Sequence, residues 1–181
     1  MPGYSSEGIV IKRQNFGEAG KIITLFTREK GKINLLAKGI RKTTSKRAGS
    51  LELFNRVKIS AVKGRGELDT LTEVLLVENF ARWRKYLGRI TIAYQLCEVV
   101  DRLTPDRQPH PEIFEILCQS LAEISVLKND WKPRTDEWFL EIIRELGFWP
   151  KNQDYHGDIF DLIEEIASRR INSTSFIQKL K

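Results

Sequence analysis

Cysteine is scarce in this chain, and long hydrophobic runs are missing. Its only cysteines, Cys97 and Cys118, lie in apolar helical patterns, so we predict small core residues and no disulfide framework. No apolar run approaches the roughly 18 residues of a membrane span. The N-terminus lacks a signal-peptide pattern, because the apolar run Gly8–Ile11 continues directly into Lys12 and Arg13. We therefore expect a cytoplasmic protein.

The motifs of common enzyme classes are also missing. Residues 17–22 (GEAGKI) resemble a phosphate loop only superficially, with two residues instead of four between the first glycine and the Gly-Lys pair, and then Ile instead of Ser or Thr. His110 and His156 have no evident acid or base partner. A zinc site would require both histidines and both cysteines to converge from distant segments. We predict no enzymatic activity, no cofactor and no metal.

Acidic residues are absent from one long segment, residues 30–51, which holds seven cations. Residues 1–80 contain 15 Lys and Arg against 8 Asp and Glu, whereas residues 81–181 contain 15 against 16. This asymmetry predicts that the N-terminal half binds a polyanion, and a solvated basic surface is the alternative. The candidate nucleic-acid contacts are the cations of this segment and two on a later turn: Lys38, Arg41, Lys42, Lys46, Arg47, Lys30, Lys32, Lys63 and Arg65.

Aromatic residues are missing from the same region, since no Phe, Tyr or Trp occurs between Thr27 and Leu53. Proteins that sequester single strands typically stack bases on aromatic side chains. Binding without such side chains depends on neutralising phosphates, which ignores base sequence and weakens with salt. The composition therefore favours a protein that leaves bases free to pair, such as a strand annealer.

Five short β-rich runs precede residue 78, with one long polar connection, Gly39–Ser50, between the third and the fourth. This pattern predicts a small closed Greek-key barrel such as an OB-fold, with half of a β-sandwich as the alternative. OB-folds commonly bind oligonucleotides through the β1–β2 and β4–β5 loops and the β2–β3 face. The predicted strands are Gly8–Arg13, Lys21–Arg28, Lys32–Lys38, about Phe54–Lys63 and Leu68–Val77.

Helical periodicity replaces strand alternation near Glu78. We predict an α+β protein with an OB-fold domain over residues 1–79 and an all-α domain over residues 80–181. Pro111 suits the first position of the second helix, while Thr135 can cap the third helix and Gly147 can end it. The four apolar stripes begin with Trp83, Leu87 and Ile90; with Ile113 and Leu117; after Thr135; and with Ile159, Ile163 and Ile166.

A series of segments in order over about residues 5–150 carries a family resemblance. These segments are residues 7–13 (EGIVIKR), 17–19 (GEA), 23–32 (ITLFTREKGK), 36–42 (LAKGIRK), 49–52 (GSLE), 68–73 (LDTLTE), 100–105 (VDRLTP) and 144–148 (RELGF). Together they resemble the RecO family of DNA repair proteins. The resemblance implies an N-terminal OB-fold followed by a helical domain.

The resemblance also implies a function. RecO-like proteins bind single- and double-stranded DNA, anneal complementary strands, engage the acidic C-terminal tail of the single-strand-binding protein, and with RecR help to load RecA. The family's basic DNA-binding character carries over to Lys38, Arg41 and Lys42, with the neighbouring cations as helpers. The tail pocket requires a cation beside an apolar hollow, and the sequence leaves open Arg102, Arg107, Lys128 and Arg144.

The chain departs from the family after Pro150. Many members place a four-cysteine zinc module there, whereas residues 151–156 (KNQDYH) contain no cysteine, and the chain looks abbreviated from about Lys151. Two other functions compete with DNA repair: an OB-fold adaptor that binds RNA or acts in translation, and a scaffold whose basic loop binds an acidic protein. Competition between RNA and DNA tests the adaptor, which should strongly prefer structured RNA. DNA binding at moderate salt would exclude the scaffold.

Overall fold

The computed structural model describes residues 3–40, 47–66, 68–128 and 131–168. The chain forms two compact units, Met1–Leu127 and Lys128–Lys181. Within the described ranges, no helix combines the length and the apolar character needed to cross a membrane.

In the described part of the first unit, five strands close into a barrel in the order β1-β2-β3-β5-β4. Neighbouring strands are antiparallel except β3 and β5, which run parallel. This is an OB-like topology, so the predicted fold is confirmed and the half-sandwich alternative is wrong. The strands are β1 (Gly3–Phe16), β2 (Gly20–Thr27), β3 (Gly31–Ala37), β4 (Arg56–Val62) and β5 (Leu68–Glu78).

Alternating side chains fill the barrel. Val57, Ile59 and Ala61 of β4 are buried, whereas Lys58 between them is exposed. β1 serves two neighbours: residues 3–9 pair with β4 and residues 8–16 pair with β2, with a register shift between Val10 and Lys12. An irregularity of this kind lets one strand bend and close a barrel.

The predicted glycine turn between β2 and β3 is confirmed. Gly31 has φ +65°, a conformation that residues with a Cβ rarely adopt. It also lies against the backbone at Gln108, because a Cβ added to Gly31 would be 2.0 Å from the Gln108 carbonyl oxygen. The turn therefore depends on glycine for its conformation and for its close approach to the later segment.

Two α-helices complete the described part of the first unit: α1 (Leu87–Leu103) and α2 (Pro111–Glu123). Both were predicted, and Pro111 lies in the first turn of α2 as expected. Trp83 belongs to a 3₁₀ turn before α1, so that helix begins four residues after the start of its apolar stripe. The Trp83 side chain is fully buried, and its indole N–H donates to the Leu121 carbonyl at 2.8 Å.

The second unit contains α3 (Lys132–Glu145) and α4 (residues 159–168) within the described residues. The predicted cap at Thr135 is wrong, because α3 begins at Lys132 and the Thr135 hydroxyl donates to the Lys132 carbonyl inside the first turn. The predicted terminator is confirmed: Gly147 has φ +77°, and the Phe148 amide donates to the Ile143 carbonyl at 3.0 Å. This is the Schellman pattern of hydrogen bonds.

The change from strands to helices falls between Glu78 and Ala81, whereas the compact units divide after Leu127. Ion pairs link α1 and α2 to the barrel: Lys12 with Asp101 at 3.4 Å, and Arg28 with Glu115 at 3.2 Å. The domain boundary at residues 79 and 80 stays a prediction.

Candidate nucleic-acid interface

The β2–β3 ladder separates the predicted nucleic-acid contacts into two groups. Lys21 pairs with Ala37 at one end, and Thr27 pairs with Gly31 at the other. Ala37 lies six residue steps after Gly31 along the strand, which at about 3.3 Å per step separates the ends by about 20 Å. Lys38 lies at the first end and Lys30 at the second.

Lys38 and Arg47 meet at the end of β3. Lys38 is exposed, and the Arg47 guanidinium donates to the Lys38 carbonyl at 3.2 Å and to the Thr72 carbonyl at 3.4 Å. Arg47 is therefore positioned by backbone carbonyls. We call residues 38–47 the basic loop. Its other predicted contacts, Arg41, Lys42 and Lys46, lie outside the described residues.

A groove of about 550 Å³ opens on β4 and β5 beside Arg47. Cations and hydroxyl groups are common donors to phosphate oxygens. The groove thus extends the donor surface beyond the basic loop, although it also contains one carboxylate. Its polar lining consists of Arg47, Lys58, Ser5, Ser60, Thr72 and Glu73.

The second group lies around the β4–β5 turn. Lys63 and Arg65 on this turn are exposed. Lys30, on the β2–β3 turn, lies over the ring of Tyr4 with Nζ 4.8 Å from its centroid. Tyr4 pairs with Ala61 near the end of β4. These three cations are therefore on the same end of the barrel, opposite Lys38.

A buried carboxylate holds the β4–β5 turn in place. The Asp69 side chain is fully buried and accepts hydrogen bonds from the Tyr4 hydroxyl at 2.6 Å and the Gly64 amide at 3.1 Å. Arg107 adds two more, at 3.3 and 3.2 Å. Burial alone would raise the pKa of Asp69, but these hydrogen bonds hold that pKa below its ordinary value. Burial and the Asp69 carboxylate raise the pKa of Tyr4, so its hydroxyl stays protonated as a donor.

Lys32 differs from the other predicted contacts that the structure describes because its ammonium group is enclosed. Its side chain is 11% exposed and forms ion pairs with Asp101 at 3.1 Å and Asp106 at 3.3 Å. It also donates to the Asp101 carbonyl at 2.6 Å. This Lys joins β3 to the end of α1 and the loop after it. We therefore leave Lys32 out of the proposed interface.

A second basic segment was missed from the sequence. Residues 79–97 contain no Asp or Glu, but hold Arg82, Arg84, Lys85 and Arg89. Arg84 donates to the Leu53 carbonyl at 2.8 Å, at the end of the aromatic-free region. The absence of acidic residues over this segment could have identified it from the sequence. It was overlooked because the charges of the C-terminal half nearly balance.

Arg144 of the second unit lines a cavity of about 380 Å³ with apolar side chains around it. Its guanidinium donates to the Gln153 carbonyl at 2.5 Å and lies 3.8 Å from Asp154. Arg107, another candidate for a tail pocket, is bound to Asp69. Three carboxylates, Asp136, Glu137 and Asp154, also line the cavity, and its apolar and aromatic residues are Pro133, Leu140, Tyr155 and Ile159.

The cysteines occupy the positions expected of core residues. Cys97 and Cys118 are both buried and unpaired by disulfide. Burial raises the pKa of the Cys118 thiol to about 12 and raises that of Cys97 as well. Within the part of the chain that the structure describes, no group of three or more His, Cys, Asp or Glu side chains could hold a metal ion.

Two family models match the chain. The model described as recombination protein O N terminal matches residues 1–80, and the one described as recombination protein O C terminal matches residues 84–156. The break between them falls in the segment where the strands give way to helices.

Several curated relatives named DNA repair protein RecO are similar to the chain. The protein of Symbiobacterium thermophilum is 37% identical over 83% of this chain and 59% of its own length. That of Pelotomaculum thermopropionicum is 34% identical over 83% and 57%, and that of Listeria welshimeri is 33% identical over 80% and 56%. The chain thus spans less than two thirds of the length of these relatives.

Proposed function

Because the chain belongs to the RecO family, we propose that it acts in DNA repair and recombination as a non-enzymatic mediator that holds DNA by its phosphates. It binds single- and double-stranded DNA, promotes annealing of complementary strands, and helps to load a recombinase onto strands coated by single-strand-binding protein. It works in the cytoplasm on nucleoid DNA.

One observation carries this proposal. The Arg47 guanidinium donates to the Lys38 backbone carbonyl, so the two ends of the acid-free loop, each with a cation, lie together. Arg47 is fixed by two carbonyls, so its cation is already ordered before DNA arrives. The adjacent groove adds Lys58 and three hydroxyl groups. Arg41 and Lys42, which the resemblance assigns to DNA binding, belong to the same loop in sequence. Such a surface binds phosphates and does not distinguish one base from another.

The three cations at the opposite end of the barrel, Lys30, Lys63 and Arg65, contribute a second electrostatic contact. A separation of about 20 Å corresponds to about six nucleotide steps of duplex at 3.4 Å each. One protein could therefore touch a strand at both ends of its barrel. Lys46 supplements the first contact.

Partners follow from the family. We propose that RecR, the C-terminal tail of single-strand-binding protein and, through them, RecA act together with this chain. The cavity at Arg144 places a cation beside apolar side chains, but Asp136, Glu137 and Asp154 also line it. These carboxylates would repel an acidic tail, so we assign the tail to none of Arg102, Arg107, Lys128 and Arg144.

The test is strand annealing. Complementary oligonucleotides coated with single-strand-binding protein are mixed with and without this chain, and duplex formation is followed by fluorescence energy transfer. We expect faster annealing at low salt, an effect that fades as salt rises, and no requirement for a nucleotide. Annealing slowed by the chain at every salt concentration would contradict the mediator function. Binding to structured RNA in strong preference to DNA would favour the adaptor function instead.

A further inference from the structure

The second basic segment carries an exposed aromatic ring with two cations close to it. Tyr86 is 48% exposed, although Trp83, three residues before it, is fully buried. The Lys85 ammonium lies 5.2 Å from the centroid of its ring and the Arg89 guanidinium lies 5.1 Å from it. An exposed ring with neighbouring cations is the arrangement on which unpaired bases stack while phosphates are neutralised.

The ring is presented by a rigid support. The Tyr86 amide donates to the Trp83 carbonyl at 2.9 Å, and Trp83 is buried and bonded through its indole to Leu121. The Arg89 guanidinium donates to the Ser125 carbonyl at 2.9 Å and the Leu127 carbonyl at 3.2 Å. Arg89 is therefore a fixed part of the ring's surroundings, whereas Lys85 is exposed to solvent.

Hydrogen bonds connect this support to the end of the basic loop. The Arg84 guanidinium donates to Asn55 Oδ1 at 2.7 Å. The amide group of Asn55 in turn donates to the carbonyls of Gly49 and Ser50, both at 2.9 Å. Only Ala48 separates Gly49 from Arg47, so a chain of hydrogen bonds joins the support of the ring to the end of the phosphate-binding loop.

We propose that Tyr86 is a stacking site for one unpaired base of a single strand, which displaces the exposed Lys85 ammonium from the ring, and that Lys85 then neutralises an adjacent phosphate. This inference rests on the proposed function, because the strand must first be held by its phosphates on the loop. A single stacking site immobilises one base and leaves its neighbours free to pair. It therefore gives the chain a preference for single strands without preventing annealing.

The experiment compares two single strands of equal length, oligo-dT and an oligonucleotide of abasic residues with the same phosphates. Affinities are measured by fluorescence anisotropy for the full chain. The unmodified chain should bind oligo-dT about 5- to 150-fold more tightly than the abasic strand, the range expected for one stacked base. Tyr86→Ala should abolish this preference, and Tyr86→Phe, which retains the ring, should preserve it.

A matched control is Tyr94→Ala. Tyr94 is 51% exposed and lies on α1, the helix that begins directly after Tyr86, but its ring contacts Phe54, with ring centroids 5.0 Å apart. This variant should keep the preference for oligo-dT. Circular dichroism and thermal unfolding of each variant establish that it is folded.

The possible outcomes separate the two proposals. If the unmodified chain binds neither strand, the proposed function fails. If it binds both strands equally, or if folded Tyr86→Ala keeps the preference, phosphate binding stands and the stacking site is wrong. Loss of the preference in Tyr86→Ala alone supports the stacking site, since a purely structural contact between Tyr86 and Arg89 would not distinguish bases from abasic sites.

Discussion

The free energy of unfolding of an Asp69 variant tests most directly how the barrel positions the β4–β5 turn. Replacing Asp69 by Ala removes the acceptor of four hydrogen bonds, from Tyr4, Gly64 and two nitrogens of Arg107. Breaking a fully buried ion pair costs about 3–5 kcal/mol. The Arg107 side chain is 40% exposed and regains water, so we expect the lower end, about 3 kcal/mol.

The assay is urea denaturation of the full chain, followed by circular dichroism and tryptophan fluorescence. Glu98→Ala is the matched control, because Glu98 pairs with Arg102 at 3.9 Å and its side chain is 66% exposed. A surface pair of this kind contributes about 1 kcal/mol or less. Equal losses of free energy of unfolding in the two variants would refute the role of Asp69 as a buried anchor.

The same carboxylate determines part of the response to acid. The pKa of Asp69 is lower in the folded chain, so its contribution to stability is complete above the unfolded pKa of about 3.9 and is lost as the pH falls further. Asp69→Asn should therefore lower stability at neutral pH and flatten its decline below about pH 4. An unchanged acid profile would show that Asp69 is not ionised in the fold.

Two further predictions concern the turns and the cysteines. Gly31→Ala should destabilise the chain by about 1–3 kcal/mol more than Gly39→Ala, because both glycines have positive φ but only Gly31 faces the Gln108 backbone. Equal losses of free energy of unfolding in urea denaturation would show that this contact is unimportant. Iodoacetamide at neutral pH should modify Cys97 and Cys118 slowly in the folded chain and quickly in urea, because burial raises both thiol pKa values. Rapid labelling of the native chain, seen by mass spectrometry, would contradict this.

The barrel was predictable because its determinants are local. Alternation in β4 identifies Val57, Ile59 and Ala61 as inward residues, and glycine at position 31 identifies the β2–β3 turn. The start of α1 was less clear, since Trp83 continues the apolar spacing of the helix while belonging to a separate 3₁₀ turn. Periodicity records which side chains are buried and does not distinguish one helical turn type from another.

The candidate site was less predictable because it depends on contacts between distant residues. Lys32 lies in an exposed-looking basic run, yet Asp101 and Asp106 enclose it from 69 and 74 positions away. Tyr86 looks like an ordinary helical aromatic residue, and only the structure shows two cations beside an exposed ring. Charge counts locate a basic surface, whereas the partner of each cation depends on the fold.

The salt dependence of DNA binding tests the central claim most directly. Four cations of the first contact, Lys38, Arg41, Lys42 and Arg47, should neutralise about four phosphates of a single strand and so contribute about −3 to the slope of log K against log salt. The triple variant Lys38→Ala, Arg41→Ala and Lys42→Ala should bind more weakly, with a slope that is shallower by about 2.

The control removes three cations from the second unit, Lys128, Lys132 and Lys151, whose loss should leave the slope near that of the unmodified chain. Folding of both triple variants is checked by thermal unfolding. A shallower slope in the loop variant alone is the predicted result. An unchanged affinity and slope in a folded loop variant would contradict the claim that this chain holds DNA by its phosphates on the basic loop.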